Sequence, residues 1–124
     1  MEIKLYRCKH CGNIAIKVLD KGVPMMCCGE KMEEIIPASV DASVEKHVPV
    51  VSVDGTRVTV DIGSAAHPMT AEHLIQFVIL DTTAGVQIAE LAAGDVPQAV
   101  FELLPGAEVK KAYAYCNLHG LWVN

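Results

Sequence analysis

The sequence predicts an all-β protein in which a small cysteine-rich segment precedes a β-sandwich or barrel. Three observations lead to this prediction. Four of the five cysteines lie in the first 28 residues, β-branched residues fill a series of short runs after position 37, and turn residues separate those runs. Because a proline and small residues follow position 36, we expect two domains, 1–36 and 37–124.

The composition excludes several classes of protein. The chain has 124 residues, of which 52% are hydrophobic, and a formal net charge of −5. This balance is typical of a packed globular protein and argues against nucleic acid as a partner. The chain has no signal-peptide pattern and no apolar run approaching about 20 residues, so we expect a cytoplasmic protein that does not cross a membrane. An odd cysteine count in a reducing compartment favours metal or redox chemistry over disulfides.

The first segment carries a candidate metal site. Cys8 and Cys11 form a Cys-x2-Cys pair followed by a glycine, and after 15 residues Cys27 and Cys28 add two adjacent thiols. Four thiolates suit zinc or a single iron, and the spacing leaves both open. A disulfide between the two neighbours would strain the peptide that joins them. Since four thiolates already complete a tetrahedron, we expect His10 to be a solvated side chain.

This cysteine pattern resembles that of the desulforedoxin module. The resemblance covers residues 1 to about 36 and depends on the unusual Cys-Cys pair. It implies a small β domain that binds one iron through all four cysteines. A segment of this size is too small to build a sufficient core, so metal binding would supply much of its folding energy.

Six runs of apolar and β-branched residues predict the strands of the second domain. They are 48–53, 56–62, 74–80, 86–91, 98–104 and 109–115. Asp54 and Gly55, between the first two runs, predict a hairpin with a type I′ turn. Residues 88–93 are also compatible with a helical turn, because they are rich in Ala, Glu and Leu, but we assign them to a strand.

Four histidines and one cysteine in the second domain form a second candidate site. Each of them alone has an ordinary explanation as a surface or core residue. Together, five ligands exceed a structural zinc tetrahedron, whereas iron accepts five and keeps a sixth position for a small substrate. The five residues are His47, His67, His73, Cys116 and His119.

Three segments resemble the signature segments of the superoxide reductase (neelaredoxin) domain. They are 45–49 (Glu-Lys-His-Val-Pro), 67–73 (His-Pro-Met-Thr-Ala-Glu-His) and 116–122 (Cys-Asn-Leu-His-Gly-Leu-Trp). With the first module in front, the whole chain resembles the desulfoferrodoxin family of two-iron superoxide reductases. The resemblance implies an immunoglobulin-like β-sandwich for residues 37–124. It also implies a second iron with Cys116 as its axial ligand and the four histidines as its equatorial ligands.

The resemblance further implies a reaction and its participants. Superoxide reductases convert superoxide to hydrogen peroxide with one electron and two protons, which detoxifies superoxide under oxidative stress. In the family, the glutamate of the Glu-Lys-His motif can occupy the sixth position of oxidised iron, and the lysine attracts the anion and helps supply protons. Those residues are Glu45 and Lys46 here. Rubredoxin or a similar small electron donor and a homodimer are also implied.

Two other functions are compatible with the same residues. The chain could be a two-iron electron-transfer protein without a catalytic role, or a zinc-stabilised binding protein. An electron carrier would saturate its metal with ligands, whereas five ligands beside Glu45 and Lys46 describe an open site for an anion. Zinc can also replace iron in overproduced protein.

Overall fold

The structure, a computed structural model, describes residues 2–40 and 47–124. The chain divides into two compact units, Met1–Ile36 and Pro37–Asn124. Within the described residues there are twelve β-strands and no helix, so the all-β prediction is confirmed. No helix in this part of the chain is long and apolar enough to span a membrane. The strands are β1 Leu5–Arg7, β2 Ile14–Ile16, β3 Met26–Cys27, β4 Glu30–Lys31, β5 Glu33–Ile35, β6 Pro49–Asp54, β7 Arg57–Ile62, β8 Ile75–Thr82, β9 Gly85–Glu90, β10 Gln98–Glu102, β11 Val109–Cys116 and β12 Gly120–Val123.

The first unit has very little hydrophobic core. Its strands form a three-stranded sheet in the order β2-β1-β5 and a two-stranded ribbon of β3 and β4, all antiparallel. Among the described residues of this unit, Leu5 and Cys8 are the buried ones, each 2% exposed. Two buried side chains cannot offset the conformational entropy lost when this unit folds. The cysteine cluster must therefore contribute to its stability.

The second unit is a β-sandwich of seven antiparallel strands. One sheet has the order β10-β7-β6 and the other the order β12-β11-β8-β9, a three-plus-four arrangement typical of immunoglobulin-like domains. Side chains at every second position point into the core. On β11 this alternation buries Ala112, Ala114 and Cys116 completely. The thiol of Cys116 therefore lies on the inner face, at the last residue of its strand.

All six predicted strands are present, β12 was not predicted, and two details of the predicted segments differ from the structure. Residues 88–93, assigned to a strand despite their helical composition, form a strand only as far as Glu90, where β9 ends. The predicted turn is wrong by one position, because Asp54 pairs with Arg57 and the loop consists of Gly55 and Thr56. Gly55 has a φ of +63° whereas Thr56 has no positive φ, which is the pattern of a type II′ turn.

Candidate metal centres

The four cysteines of the first unit converge on one point. Their sulfur atoms all lie within 4.8 Å of one another, and the Sγ atoms of Cys11 and Cys27 are 3.6 Å apart. All five cysteines of the chain are free thiols, so the neighbouring cysteines form no disulfide. The cluster is accessible from solvent on one side, because Cys11 and Cys28 are exposed while Cys8 is buried.

The loop after β1 presents the first two thiols. The backbone N–H of Cys8 donates to the carbonyl of Asn13 at 2.9 Å, and the N–H of Gly12 donates to the carbonyl of Cys8 at 2.9 Å. Gly12 has a φ of +84°, a conformation that suits glycine. The N–H of Cys11 points at the sulfur of Cys8 at 3.5 Å. Such a donor stabilises the thiolate form of its acceptor.

A tight turn presents the other two thiols. Cys27 pairs with Glu30, so Cys28 and Gly29 form the two-residue loop between β3 and β4. Both loop residues have positive φ, +52° for Cys28 and +76° for Gly29, which is the pattern of a type I′ turn. Cys28 is the one non-glycine residue with positive φ among the described residues.

The thiols differ in their readiness to ionise. The hydrogen bond from the backbone N–H of Cys11 lowers the pKa of Cys8 to about 6, with smaller contributions from other donors. Hydrogen bonding with the thiol of Cys11, followed by those of Cys8 and Cys27, raises the pKa of Cys28 to about 12. Hydrogen bonding to Cys11 also raises the pKa of Cys27. Without metal, the cluster therefore keeps protons that a metal ion must displace.

His10 is not part of this cluster. Its Nε2 atom lies 3.0 Å from Oε1 of Glu30. The other carboxylate oxygen of Glu30 forms an ion pair with Nζ of Lys9 at 3.2 Å. The three side chains are all about half exposed. This placement agrees with the expectation that His10 is a solvated side chain.

The second candidate site lies at one end of the β-sandwich. One of its five predicted residues, Cys116, ends β11, and the four histidines lie in the connecting segments before β6, between β7 and β8, and between β11 and β12. Antiparallel pairing brings these positions together, since Pro49 pairs with Ile62 and Cys116 pairs with both Ile75 and Gly120. The ligand atoms of four of them lie within 4.8 Å of one another: His47, His67, His73 and Cys116.

His119 joins this group through Nδ1. This atom lies 3.1 Å from Nε2 of His47 and 3.8 Å from Sγ of Cys116. The four imidazoles follow one another in a closed circle, with neighbouring ring centroids 4.7 to 5.1 Å apart and steep angles between neighbouring ring planes. A circle of four nitrogens with one thiol is a suitable donor set for iron.

Neighbouring groups fix the orientation of two of the imidazoles. Nδ1 of His67 lies 2.7 Å from the carbonyl oxygen of Pro68, so it carries the proton and Nε2 is left as the ligand atom. The ring of His47 stacks on the indole of Trp122 at 4.6 Å with an interplanar angle of 14°. The indole N–H in turn donates to the carbonyl of His119 at 3.2 Å.

The site is buried on one side and open on the other. His47 is 1% exposed and Cys116 is fully buried, whereas His73 is half-buried and His119 is exposed. The sulfur is therefore shielded from water while part of the imidazole circle reaches the surface. Glu45 and Lys46, to which the family resemblance gives roles in the reaction, lie outside the described residues.

Sequence reasoning assigned no role to three residues that support this site. Trp122 stacks on a ligand, and Thr70 and Asn117 hydrogen-bond to the backbone around His73. Asn117 and Trp122 lie inside the third signature segment, close to Cys116 and His119 in sequence. This proximity is the one indication in the sequence that they support the site. The hydrogen bonds of Asn117 and the stacking of Trp122 on His47 join residues more than 40 positions apart, which spacing cannot reveal.

The prediction of two iron sites is confirmed, because both predicted sets of donor atoms are present in the structure. Four thiols converge in the first unit, and four imidazoles with one thiol converge in the second. Four thiolates suit tetrahedral iron, and five mixed donors suit an iron that keeps one position for a ligand from solution.

Comparison with known proteins agrees with this geometry. The family model described as "Desulfoferrodoxin, N-terminal domain" matches residues 1–35, and the one described as "Desulfoferrodoxin" matches residues 39–124. A desulfoferrodoxin from Syntrophotalea carbinolica is 41% identical over 122 residues, which cover 98% of this chain and 94% of the relative. A desulfoferrodoxin homologue from Archaeoglobus fulgidus is 38% identical over 97% of this chain and 94% of its own.

Solved structures extend the similarity to the fold. The crystal structure of the superoxide reductase from Treponema pallidum matches with a TM-score of 0.87 and 36% identity, covering 99% of this chain and 98% of that one. The one-iron superoxide reductase from Giardia intestinalis matches with a TM-score of 0.55 and 33% identity. This second match covers 64% of this chain and 95% of the other.

Proposed function

Because this chain belongs to the desulfoferrodoxin family, we propose that it is a superoxide reductase. One superoxide anion, one electron and two protons give one molecule of hydrogen peroxide. The observation that carries this proposal is the convergence of four imidazoles and the buried thiol of Cys116 at one end of the sandwich. The structural similarity to proteins named superoxide reductases supports the same activity.

The chain's own residues would hold iron and leave it one open position. Iron bound there would supply the single electron that superoxide takes up. His67 presents Nε2 because its Nδ1–H is engaged by the carbonyl of Pro68. The stacked indole of Trp122 shields one face of His47 from water. The fully buried Cys116 would contribute a thiolate that is screened from solvent protons, so its charge acts on the metal.

Lys46 would attract the substrate. The chain carries a formal net charge of −5, which repels an anion weakly at long range. A cation next to the ligand His47 in sequence would create a local positive potential and raise the association rate. We propose that Lys46 has this role and helps to supply protons, and that Glu45 is the carboxylate that approaches the open position of oxidised iron.

The first unit would hold the other iron of a two-iron protein, bound by its four cysteines. Its cluster is partly exposed through Cys11 and Cys28, which would give an electron donor access to it. We propose rubredoxin or a similar small protein as that donor. The five free thiols fit a reducing compartment, for which we propose the cytoplasm.

We also propose that the protein is a homodimer. Strand β2 (Ile14–Ile16) lies at the edge of its sheet and consists of half-buried apolar residues, which favours pairing with a second copy. Sedimentation of the full chain should give twice the mass of the 13.3 kDa monomer. A monomer at micromolar concentration would contradict this part of the proposal.

Pulse radiolysis of the iron-loaded full chain tests the activity. We expect the reduced protein to react with superoxide in a single bimolecular step and to yield hydrogen peroxide without oxygen. Cys116→Ser should lose the sulfur-to-iron charge-transfer band of the oxidised site, while the absorption of the four-cysteine site stays as its internal control. Iron-loaded protein that fails to react with superoxide would refute the reductase activity.

A further inference from the structure

The side chain of Asn117 joins the two segments that carry the ligands of the second site. Its Oδ1 atom accepts a hydrogen bond from the N–H of Leu74 at 3.0 Å, and its Nδ2 atom donates to the carbonyl of Glu72 at 2.9 Å. These two groups flank His73 on either side. Asn117 itself lies directly after Cys116 and two residues before His119.

The bonds extend the pairing of β11 with β8 beyond its last regular pair. That pair is Cys116 with Ile75, after a register irregularity. The N–H of Asn117 then donates to the carbonyl of Leu74 at 3.2 Å, and the amide side chain reaches the next peptide groups along the other segment. The side chain of Asn117 therefore replaces the backbone hydrogen bonds of a regular strand pair, at the point where the chain leaves β11 and enters the turn that carries His119.

Thr70 completes the support around His73. The N–H of His73 donates to Oγ1 of Thr70 at 3.1 Å, and its carbonyl accepts from the N–H of Thr70 at 2.9 Å. Together, Thr70 and Asn117 engage all the peptide groups from the carbonyl of Glu72 to the carbonyl of Leu74. The backbone of a half-buried ligand is thus fixed on both sides.

We propose that Asn117 is a positioning residue that fixes His73 relative to Cys116 and His119 and thereby tightens metal binding at this site. The role requires an amide, because one end must accept from an N–H while the other donates to a carbonyl. The inference depends on the proposed iron site and not on its reaction with superoxide. Groups that orient metal ligands typically change metal affinity by about 10- to 100-fold when they are replaced.

Asn117→Asp is the sharpest variant, because it keeps the size and shape of the side chain. It retains the acceptor for the N–H of Leu74 but places an oxygen opposite the carbonyl of Glu72, where the amide now donates. Asn117→Ala removes both bonds. Asn124→Ala is the matched control, since Oδ1 of Asn124 accepts from the N–H of Ala112 at 2.8 Å on the same strand, four residues before Cys116.

The measurement is the loss of iron from the oxidised full chain to an added chelator. The charge-transfer band reports the second site, and the absorption of the four-cysteine site reports the first. We expect both Asn117 variants to lose iron from the second site about 10-fold faster or more, with a shifted charge-transfer band. The first site in both variants, and both sites in Asn124→Ala, should behave as in the unaltered chain. If Asn117→Ala fails to fold, Asn117→Asp carries the test.

The possible outcomes separate this inference from the proposed function. Retention of iron at the unaltered rate in Asn117→Asp, with an unshifted band, would overturn the positioning role. An equally large effect of Asn124→Ala would also overturn it, because general destabilisation would then explain the loss. Faster iron loss in both Asn117 variants supports the inference even if the unaltered protein fails to react with superoxide. Failure of the unaltered chain to hold iron at the second site would overturn both proposals.

Discussion

Metal loading of the four-cysteine site should release at least two protons at pH 7.5. Hydrogen bonding to the other thiols raises the pKa of Cys28 to about 12 and raises that of Cys27 above its usual value near 9. Both groups therefore carry protons in the metal-free protein at neutral pH. Because a metal binds thiolates, each of these protons must leave when the site is filled.

The same argument sets the pH dependence of metal affinity. Displacement of at least two protons makes the apparent affinity fall by at least about 100-fold for each unit by which the pH is lowered between about 8 and 6. Below its pKa of about 6, Cys8 also binds a proton in the metal-free state and the dependence becomes steeper. Acid therefore weakens metal binding at this site, and the first unit loses the stabilisation that the metal provides.

Competition with a chelator of known affinity measures this dependence. The absorption of the four-cysteine iron site should be followed in the full chain between pH 6.5 and 8.5. Cys28→Ser is the matched variant, since it removes one proton-bearing thiol and should lower the slope by about one logarithmic unit per pH unit. A slope clearly below two in the unaltered chain would show that Cys27 or Cys28 is already ionised, which would refute the argument.

Two further predictions test the second unit. Lys46→Ala should slow the reaction with superoxide about 10-fold and flatten its ionic-strength dependence in pulse radiolysis, without changing the absorption of either iron site. Lys111→Ala, which changes the net charge equally but lies at an exposed position on β11, is its control; equal rates in the two variants would exclude steering by Lys46. Leu80→Ala should lower the free energy of unfolding of this unit by about 2 to 5 kcal/mol, because Leu80 is fully buried in the core. Ile88→Ala on the neighbouring strand should cost less than about 1 kcal/mol in the same denaturant titration, since Ile88 is 55% exposed.

The strands of the sandwich could be predicted because their core positions alternate. Val58, Val60 and Ile62 on β7 show the period of two that marks a half-buried strand. The strands of the first unit have only two or three residues, which is too short for any period. Strand β12 was not predicted because it also is short. Its four residues directly follow the turn that carries His119.

The ligands could be predicted more completely than the residues that orient them. Cysteines and histidines are few and chemically distinctive, so their number and spacing indicate metal binding. The support of His73 by Asn117 depends on one amide that bonds across 43 positions to Leu74. Asparagine is common in turns for local reasons, so the residue type alone does not indicate that Asn117 supports a metal ligand.

The two tight turns both depart from local turn rules, and one of them does so at a candidate metal site. The Asp-Gly pair after β6 is the usual signal for a type I′ turn, but strand pairing shifts the loop to Gly55 and Thr56 and changes the turn type. The type I′ turn occurs instead at Cys28 and Gly29, where a non-glycine residue adopts a left-handed conformation that costs about 1 to 2 kcal/mol. Adjacent cysteines reach one cluster here through a turn with positive φ at both central positions. The chemistry of the cluster, rather than turn propensity, accounts for this conformation of Cys28, and metal binding would offset its cost.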